Sequence, residues 1–214
     1  MIDDIAKCSD YTVLKPDATK DVVEQLCLEA KESNCASVCI NPYYISLAAD
    51  LLKDSDVKVT TVVGFPLGAT IKEVKAYEAL TAIQNGADEI DMVINIAALK
   101  NGDYDDVKSD IAMVLEVCRK NNAILKVIIE TCLLTDSEKQ IASKLIVEVG
   151  ADFVKTSTGF SNGGATIEDI KLIKETVGDE ALIKASGGIR DYEIAVAMIS
   201  AGANRLGTSK LIKK

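Results

Sequence analysis

Apolar runs of strand length recur along the chain: Ser37–Asn41, Val57–Gly64, Glu89–Asn95, Ile124–Glu130, Phe153–Ser157, Leu182–Ser186 and Arg205–Thr208, with a shorter one, Thr12–Leu14, ahead of them. Each is short and continuous rather than alternating, the pattern of buried parallel strands. Helical segments lie between them. Over Asp103–Lys120 the apolar residues Tyr104, Val107, Ile111, Val114, Leu115 and Cys118 step by three and four onto one face, with charges on the other. Thr70-x-x-Glu73, Thr135-x-x-Glu138 and Thr166-x-x-Asp169 read as capping starts of three further helices, the Thr hydroxyl accepting from an early backbone N–H. Gly86-Ala-Asp88, Gly150-Ala-Asp152 and Gly202-Ala-Asn204 each follow a helical segment and precede a strand, where glycine suits the left-handed residue that ends a helix. Eight strands alternating with helices predict a (β/α)8 TIM barrel in one domain over residues 1–214. An open doubly wound sheet is the competing architecture.

Composition narrows this further. The chain has 214 residues, 48% hydrophobic but only 4% aromatic and with no Trp, so the core must come from Ile, Leu, Val and Ala. A net charge of −9, with no basic run beyond Lys213-Lys214, argues against nucleic acid as a partner. Any phosphate site must therefore be local. With no His and no Cys-x-x-Cys pair among six cysteines, a His-containing zinc site is excluded and reduced thiols in a cytoplasmic protein are expected. Met1–Ile5 lacks the basic start and apolar stretch of a signal peptide, and no apolar run approaches the ~18 residues of a membrane span, so no membrane partner is expected.

Charges inside apolar strands carry the candidate chemistry. Asp91, Lys126, Lys155 and Lys184 each interrupt an apolar run. On the helix-facing side of a barrel an unpaired charge is costly, so all four are expected to point inward and meet. One reading is a salt-bridge network that fills the barrel, with Lys126 and Asp91 as a pair. The other is a reactive site, favoured for Lys155 and Lys184 because each ends its strand before a Ser- and Gly-containing loop, where barrel active sites lie. A free lysine, with a pKa of about 10.4, is only ~0.04% neutral at pH 7. A second ammonium and partial burial lower that pKa, and a fall of about 3 units corresponds to ~4 kcal/mol. Lys155 is then the Schiff-base nucleophile, Lys184 its activating neighbour and Asp91 the carboxylate that moves protons, with no metal or other cofactor required.

Ser186-Gly187-Gly188-Ile189-Arg190 follows the Lys184 strand, and its two glycines let backbone N–H groups approach an anion. Gly207-Thr208-Ser209-Lys210 follows the last strand, and Thr158-Gly159 follows Lys155. Phosphate sites after strands seven and eight recur in such barrels. Arg190 and Lys210 are cations near these loops.

These segments, with Ser37-Val-Cys-Ile-Asn-Pro-Tyr-Tyr44, Val62-Val-Gly-Phe-Pro-Leu-Gly-Ala-Thr70, Glu89-Ile-Asp-Met-Val-Ile-Asn95, Lys126-Val-Ile-Ile-Glu-Thr-Cys132, Phe153-Val-Lys-Thr-Ser-Thr-Gly-Phe160 and Lys184-Ala-Ser-Gly-Gly-Ile-Arg190, closely resemble the deoxyribose-phosphate aldolase family from about Asp10 to Ser209. The resemblance implies a metal-independent aldolase that cleaves 2-deoxy-D-ribose 5-phosphate reversibly to D-glyceraldehyde 3-phosphate and acetaldehyde. It assigns Lys155, Lys184 and Asp91 the roles above. It gives Gly159, Gly187, Gly188 and Ser209 to the phosphate, and has Cys39, Thr158, Asp10 and Thr12 line or support the site. It also implies a homodimer as one assembly. Tyr11 stands where many relatives have His, and Lys210 where they have a second Ser. The chain ends at Ile212-Lys-Lys214 without the tail Tyr of some relatives, so enamine protonation is expected to use Asp91, Lys184 and water. A Schiff-base aldolase for a related sugar phosphate and a non-catalytic sugar-phosphate-binding barrel are the alternatives.

Overall fold

In the computed structural model, which describes residues 5–212, eight parallel strands hydrogen-bond in chain order and close on themselves. They are β1 (Ser9–Val13), β2 (Ser37–Ile40), β3 (Lys58–Val63), β4 (Glu89–Val93), β5 (Ile124–Ile128), β6 (Phe153–Lys155), β7 (Leu182–Ser186) and β8 (Arg205–Thr208). The closing pair, β1 with β8, sets Tyr11 opposite Thr208 and excludes the open doubly wound sheet. Met1–Asp4 and Lys213-Lys214, read above for a leader segment and for basic charge, lie outside the described residues.

Helices α1 (Lys20–Glu32), α2 (Ile45–Leu52), α3 (Lys72–Gln84), α4 (Ile96–Asn101), α5 (Tyr104–Lys120), α6 (Asp136–Val149), α7 (Ile167–Val177) and α8 (Tyr192–Ala201) surround the barrel, with α4 and α5 both falling between β4 and β5. The stripe read on α5 faces inward: Val107, Ile111, Val114, Leu115 and Cys118 are buried, while Tyr104 at its start stays exposed. Strand residues facing the helices, among them Ile40, Val63, Ile90, Met92, Val127, Val154 and Leu206, complete an aliphatic layer. Full burial of each such side chain contributes about 1.5–3 kcal/mol. Among the described residues, no helix is long and apolar enough to cross a membrane.

The predicted β4, β5 and β6 each run two residues past the observed ends because the ladder outlasts the strand. Ile94 N still bonds Ile128 O (3.1 Å) and Ile129 N bonds Lys155 O (3.0 Å), and both side chains are fully buried. β1 begins three residues before the predicted Thr12, because Ser9 and Asp10 are polar yet buried, Ser9 donating to the Ile5 carbonyl and Asp10 facing the barrel interior.

The repeated Gly-Ala-Asp/Asn unit does more than end helices. Gly86, Gly150 and Gly202 all have positive φ (107°, 84° and 124°). The third residue reaches sideways to the strand before it. Asp88 Oδ2 accepts from Val59 N (2.8 Å), Asp152 Oδ2 from Leu125 N (2.8 Å) and Asn204 Oδ1 from Ile183 N (2.9 Å). Even-numbered strands thus close the open starts of β3, β5 and β7, satisfying N–H groups that would otherwise be unpaired.

Of the three capping starts, Thr135 forms the full box with Glu138 and Thr166 accepts from Asp169 N. Thr70 does not cap: α3 starts one residue later, from Ile71, without a side-chain cap bond. This register turns the fully buried Lys75 inward, where its Nζ donates to Val93 O (2.8 Å) and pairs with Asp110 Oδ2 (2.6 Å). Asp110 Oδ2 also accepts from Asn95 N (3.1 Å), so α3 and α5 together clamp the end of β4, the strand that carries Asp91.

The difference between the two threonines is measurable. Thr135→Ala should cost about 1 kcal/mol, a fall in melting temperature of about 2–4 °C for a chain of this size. Thr70→Ala should stay within about 0.5 kcal/mol. Equal losses on chemical denaturation would contradict the assignment of the α3 start.

Candidate active site

The barrel interior holds charge rather than hydrocarbon at its centre. Glu89 and Asp91 are two residues apart on β4 and so share its inner face. In register, Asp91 sits beside Lys126 of β5, Lys155 of β6 beside Lys184 of β7, and Lys184 beside Arg205 of β8. All four residues expected to meet do so. Asp91 Oδ1 accepts from Lys126 (2.8 Å), and Asp91 Oδ2 accepts from both Lys155 and Lys184 (2.7 Å each). The network extends beyond them. Lys126 also reaches Glu89 Oε2 (2.6 Å) and Asp10 Oδ2 (3.5 Å), and Lys184 is paired with Asp10. Arg205 Nη1 bonds Asp10 Oδ1 (2.6 Å) and Glu89 Oε2 (3.1 Å), and its guanidinium lies over the Phe153 ring at 5.6 Å.

These contacts divide the lysines into two kinds. Burial weakens the charged form of all three, but the outcome depends on partners. Lys126 touches three carboxylates and Lys184 two, and their attraction overcomes burial and holds both above the ordinary lysine range. Lys155 touches only Asp91, so burial, reinforced by the Lys184 charge, prevails and pushes its pKa down. Burial is the larger cause, ahead of the neighbouring ammonium. Asp91 is also penalised by burial, yet Lys126, Lys155 and Lys184 hold it well below the usual carboxylate range. Asp10 is likewise held low by Lys184, Lys126 and Arg205.

Above Lys155, which ends β6, lies the mouth. Cys39 is fully buried in a small apolar patch with Leu14 and Val62, roofed by Phe65. Burial raises its thiol pKa, so it is a thiol rather than a thiolate. Phe65 meets Phe160 edge-on, centroids 5.3 Å apart. Thr12 Oγ1 donates to the Asp10 carbonyl (2.8 Å). Thr158 donates its hydroxyl to Glu130 and accepts from Phe160 N (3.0 Å), so that hydroxyl is committed to holding the loop.

The three glycine-bearing loops form one arc, because β6, β7 and β8 are neighbours. Gly159, Gly187 and Gly188 each have φ of +84°, a conformation that side chains resist. Gly188 and Ser209 are exposed on this face. Asp191 caps α8, its Oδ1 accepting from Ile194 N (2.9 Å), which puts a carboxylate at the helix start and disfavours an anion there. Gly164 packs so closely on Gly187 that a Cβ there would lie 2.4 Å from the Gly187 carbonyl oxygen.

Glu89, Arg205 and Glu130 escaped the sequence reading. Glu89 and Arg205 open their strands, where a charge is ordinary; the i, i+2 spacing of Glu89 and Asp91 was the available signal. Glu130 is buried with a left-handed backbone (φ 55°), and nothing local announces it. Ser186 Oγ is buried with no hydrogen-bond partner, one step above Lys184 on the same inner face.

The model of the DeoC/LacD family of aldolases matches residues 5–210. The chain is 59% identical over 210 residues to a deoxyribose-phosphate aldolase of Clostridium tetani, covering 98% of this chain and 97% of that one. It is 58% identical over 212 residues to one of Thermococcus gammatolerans, covering 98% and 94%. Among solved structures it resembles the tetrameric deoxyribose phosphate aldolase of Aeropyrum pernix, with a TM-score of 0.90 and 32% identity over 96% of this chain and 86% of that one.

The unequal partner counts predict unequal mutational costs. Asp91→Asn strips a counter-charge from three buried amines and should cost about 3–5 kcal/mol of stability. Lys155→Leu removes a group with one partner and should cost no more than about 1 kcal/mol. Comparable losses in denaturant titrations would refute this division.

Proposed function

The chain belongs to the DeoC/LacD family of aldolases, and on that premise we propose that it cleaves 2-deoxy-D-ribose 5-phosphate reversibly to D-glyceraldehyde 3-phosphate and acetaldehyde, with Lys155 as the Schiff-base nucleophile. The observation that carries the reading is that Lys155, alone among the three interior lysines, has a single carboxylate partner and a lowered pKa at the mouth end of its strand. The names of the relatives supply the substrate.

In this reading, neutral Lys155 attacks C1 of the open-chain aldehyde to give a carbinolamine. Lys184, held charged by Asp10 and Asp91, donates a proton to the departing hydroxyl, and water leaves an iminium. The C3 hydroxyl then loses its proton and the C2–C3 bond breaks, releasing glyceraldehyde 3-phosphate and an enamine on Lys155. Asp91 is a weak base by itself because three lysines hold its charge; it passes protons between Lys184, water and substrate. Protonation of the enamine carbon and hydrolysis release acetaldehyde. Gly159, Gly187, Gly188 and Ser209 meet the phosphate, and Asp10, Thr12, Thr158 and Cys39 shape and hold the site.

Two coarser properties join the reading. Six free thiols suit a cytoplasmic protein. The exposed apolar residues Leu67, Ile71, Val74 and Tyr77 suit burial against a second copy of the chain.

Turnover of deoxyribose 5-phosphate in the presence of a chelator, followed by borohydride reduction and peptide mapping, tests the reading. The expected adduct is on Lys155, and trapping should rise with pH and level off below the free-lysine value of about 10.4. Lys155→Leu should abolish turnover in a folded protein. An adduct on Lys184, or turnover of another aldol only, would overturn the reading.

A further inference from the structure

Four cationic side chains, Lys126, Lys155, Lys184 and Arg205, meet three carboxylates, Asp10, Glu89 and Asp91, in one connected cluster. With every lysine protonated the cluster carries one surplus positive charge. An unbalanced charge in a buried site is costly, so the cluster is driven to lose one proton. Arg205 cannot supply it, since a guanidinium does not deprotonate in proteins. Lys126 is held by three carboxylates and Lys184 by two; Lys155 is held by Asp91 alone.

We propose that Arg205 and Glu89 are positioning residues for Lys155: from the far end of the barrel they set the charge balance that makes Lys155 the unprotonated amine. Both are the first residues of their strands, whereas Lys155 is the last of its own. Neither contacts Lys155 directly. Arg205 acts by being a permanent cation that occupies Asp10 Oδ1 and part of Glu89, which forces the surplus onto the lysines. Glu89 acts in the opposite sense, as the counter-charge at 2.6 Å from Lys126. The groups facing Lys155 are Asp91 from β4, Lys184 from β7 and Cys39 from β2. Behind them stand Lys126 of β5, Asp10 of β1, and Glu89 and Arg205 themselves. The downward shift of Lys155 and the upward shifts of the other three cations agree with this balance.

The inference rests on Lys155 being the Schiff-base lysine, and the test separates the two. The rate of cyanoborohydride-trapped ethylation of Lys155 by acetaldehyde is followed against pH by peptide mapping. Arg205→Met leaves three cations and three carboxylates, so Lys155 keeps its proton. The midpoint should rise by about one pH unit, a roughly tenfold loss of trapping near pH 7. Glu89→Gln should move the midpoint down. The double variant restores the surplus of one and should return the midpoint towards that of the unaltered chain. Arg205→Lys should hold it close as well. Merely structural damage would accumulate in the double variant instead of cancelling. Midpoints that do not move, move in the same direction, or add in the double variant overturn the proposal. If Arg205→Met does not fold, an unmoved midpoint in Glu89→Gln overturns it. No adduct on Lys155 in the unaltered chain overturns the functional reading and this inference with it.

Discussion

A single carboxylate, Asp91, accepts from three lysine amines inside a closed barrel, and much of the molecule serves to keep it there. A lone carboxylate or ammonium at full burial would cost far more than any one side-chain contact returns. The cations and anions therefore have to arrive together, from six different strands, with a geometry that leaves none of the carboxylates without a partner. Closure of the sheet does this. Register sets Lys126 beside Asp91 and Lys155 beside Lys184, and the pairing of β1 with β8 brings Asp10 back to Lys184 and Arg205. The barrel wall is correspondingly braced from outside, where the Lys75–Asp110 pair fastens the end of β4 and the Asp88, Asp152 and Asn204 side chains close the starts of odd strands.

In the proposed reading, reactivity follows from an asymmetry in that cluster rather than from any one unusual residue. The amines share burial and differ in how many carboxylates face them. The one facing a single carboxylate stands at the mouth, one strand from an ammonium that stays charged. A neutral amine and an acid next to it are the two groups that carbinolamine formation and dehydration need. The same Asp91 oxygen touches both, so a proton moving between them travels a short, already hydrogen-bonded path. The glycine loops after β6, β7 and β8 lie on the same face, which suits a substrate with a carbonyl at one end and a phosphate at the other.

Much of this was legible in the chain because a charge in an apolar strand has few physical explanations. Asp91, Lys126, Lys155 and Lys184 stood out for that reason, and the continuous apolar runs around them pointed to a parallel barrel. Asp10, Glu89 and Arg205 were harder. They sit at or near strand starts, where polar residues are ordinary; the family resemblance pointed to Asp10 and the i, i+2 spacing from Asp91 was the one signal for Glu89, while closure of the sheet is what joins both to Arg205. Thr70 had the sequence of a helix cap but lost the role to a tertiary contact, the inward turn of Lys75. Glu130 holds the loop after β6 from a left-handed backbone position that no local pattern predicts. Local signals named the elements; contacts between residues far apart in the chain decided which of their ends and charges matter.

The central claim is that Lys155, of the three lysines inside the barrel, gives up its proton most readily. Site-resolved titration of the lysine Cε signals by NMR, with isotope-labelled lysine and assignment by substitution, tests it most directly. The account predicts that Lys155 titrates clearly below the free-lysine value of about 10.4, while Lys126 and Lys184 keep ammonium shifts throughout. A Lys155 that titrates at or above that value, or a Lys184 that loses its proton first, would contradict it.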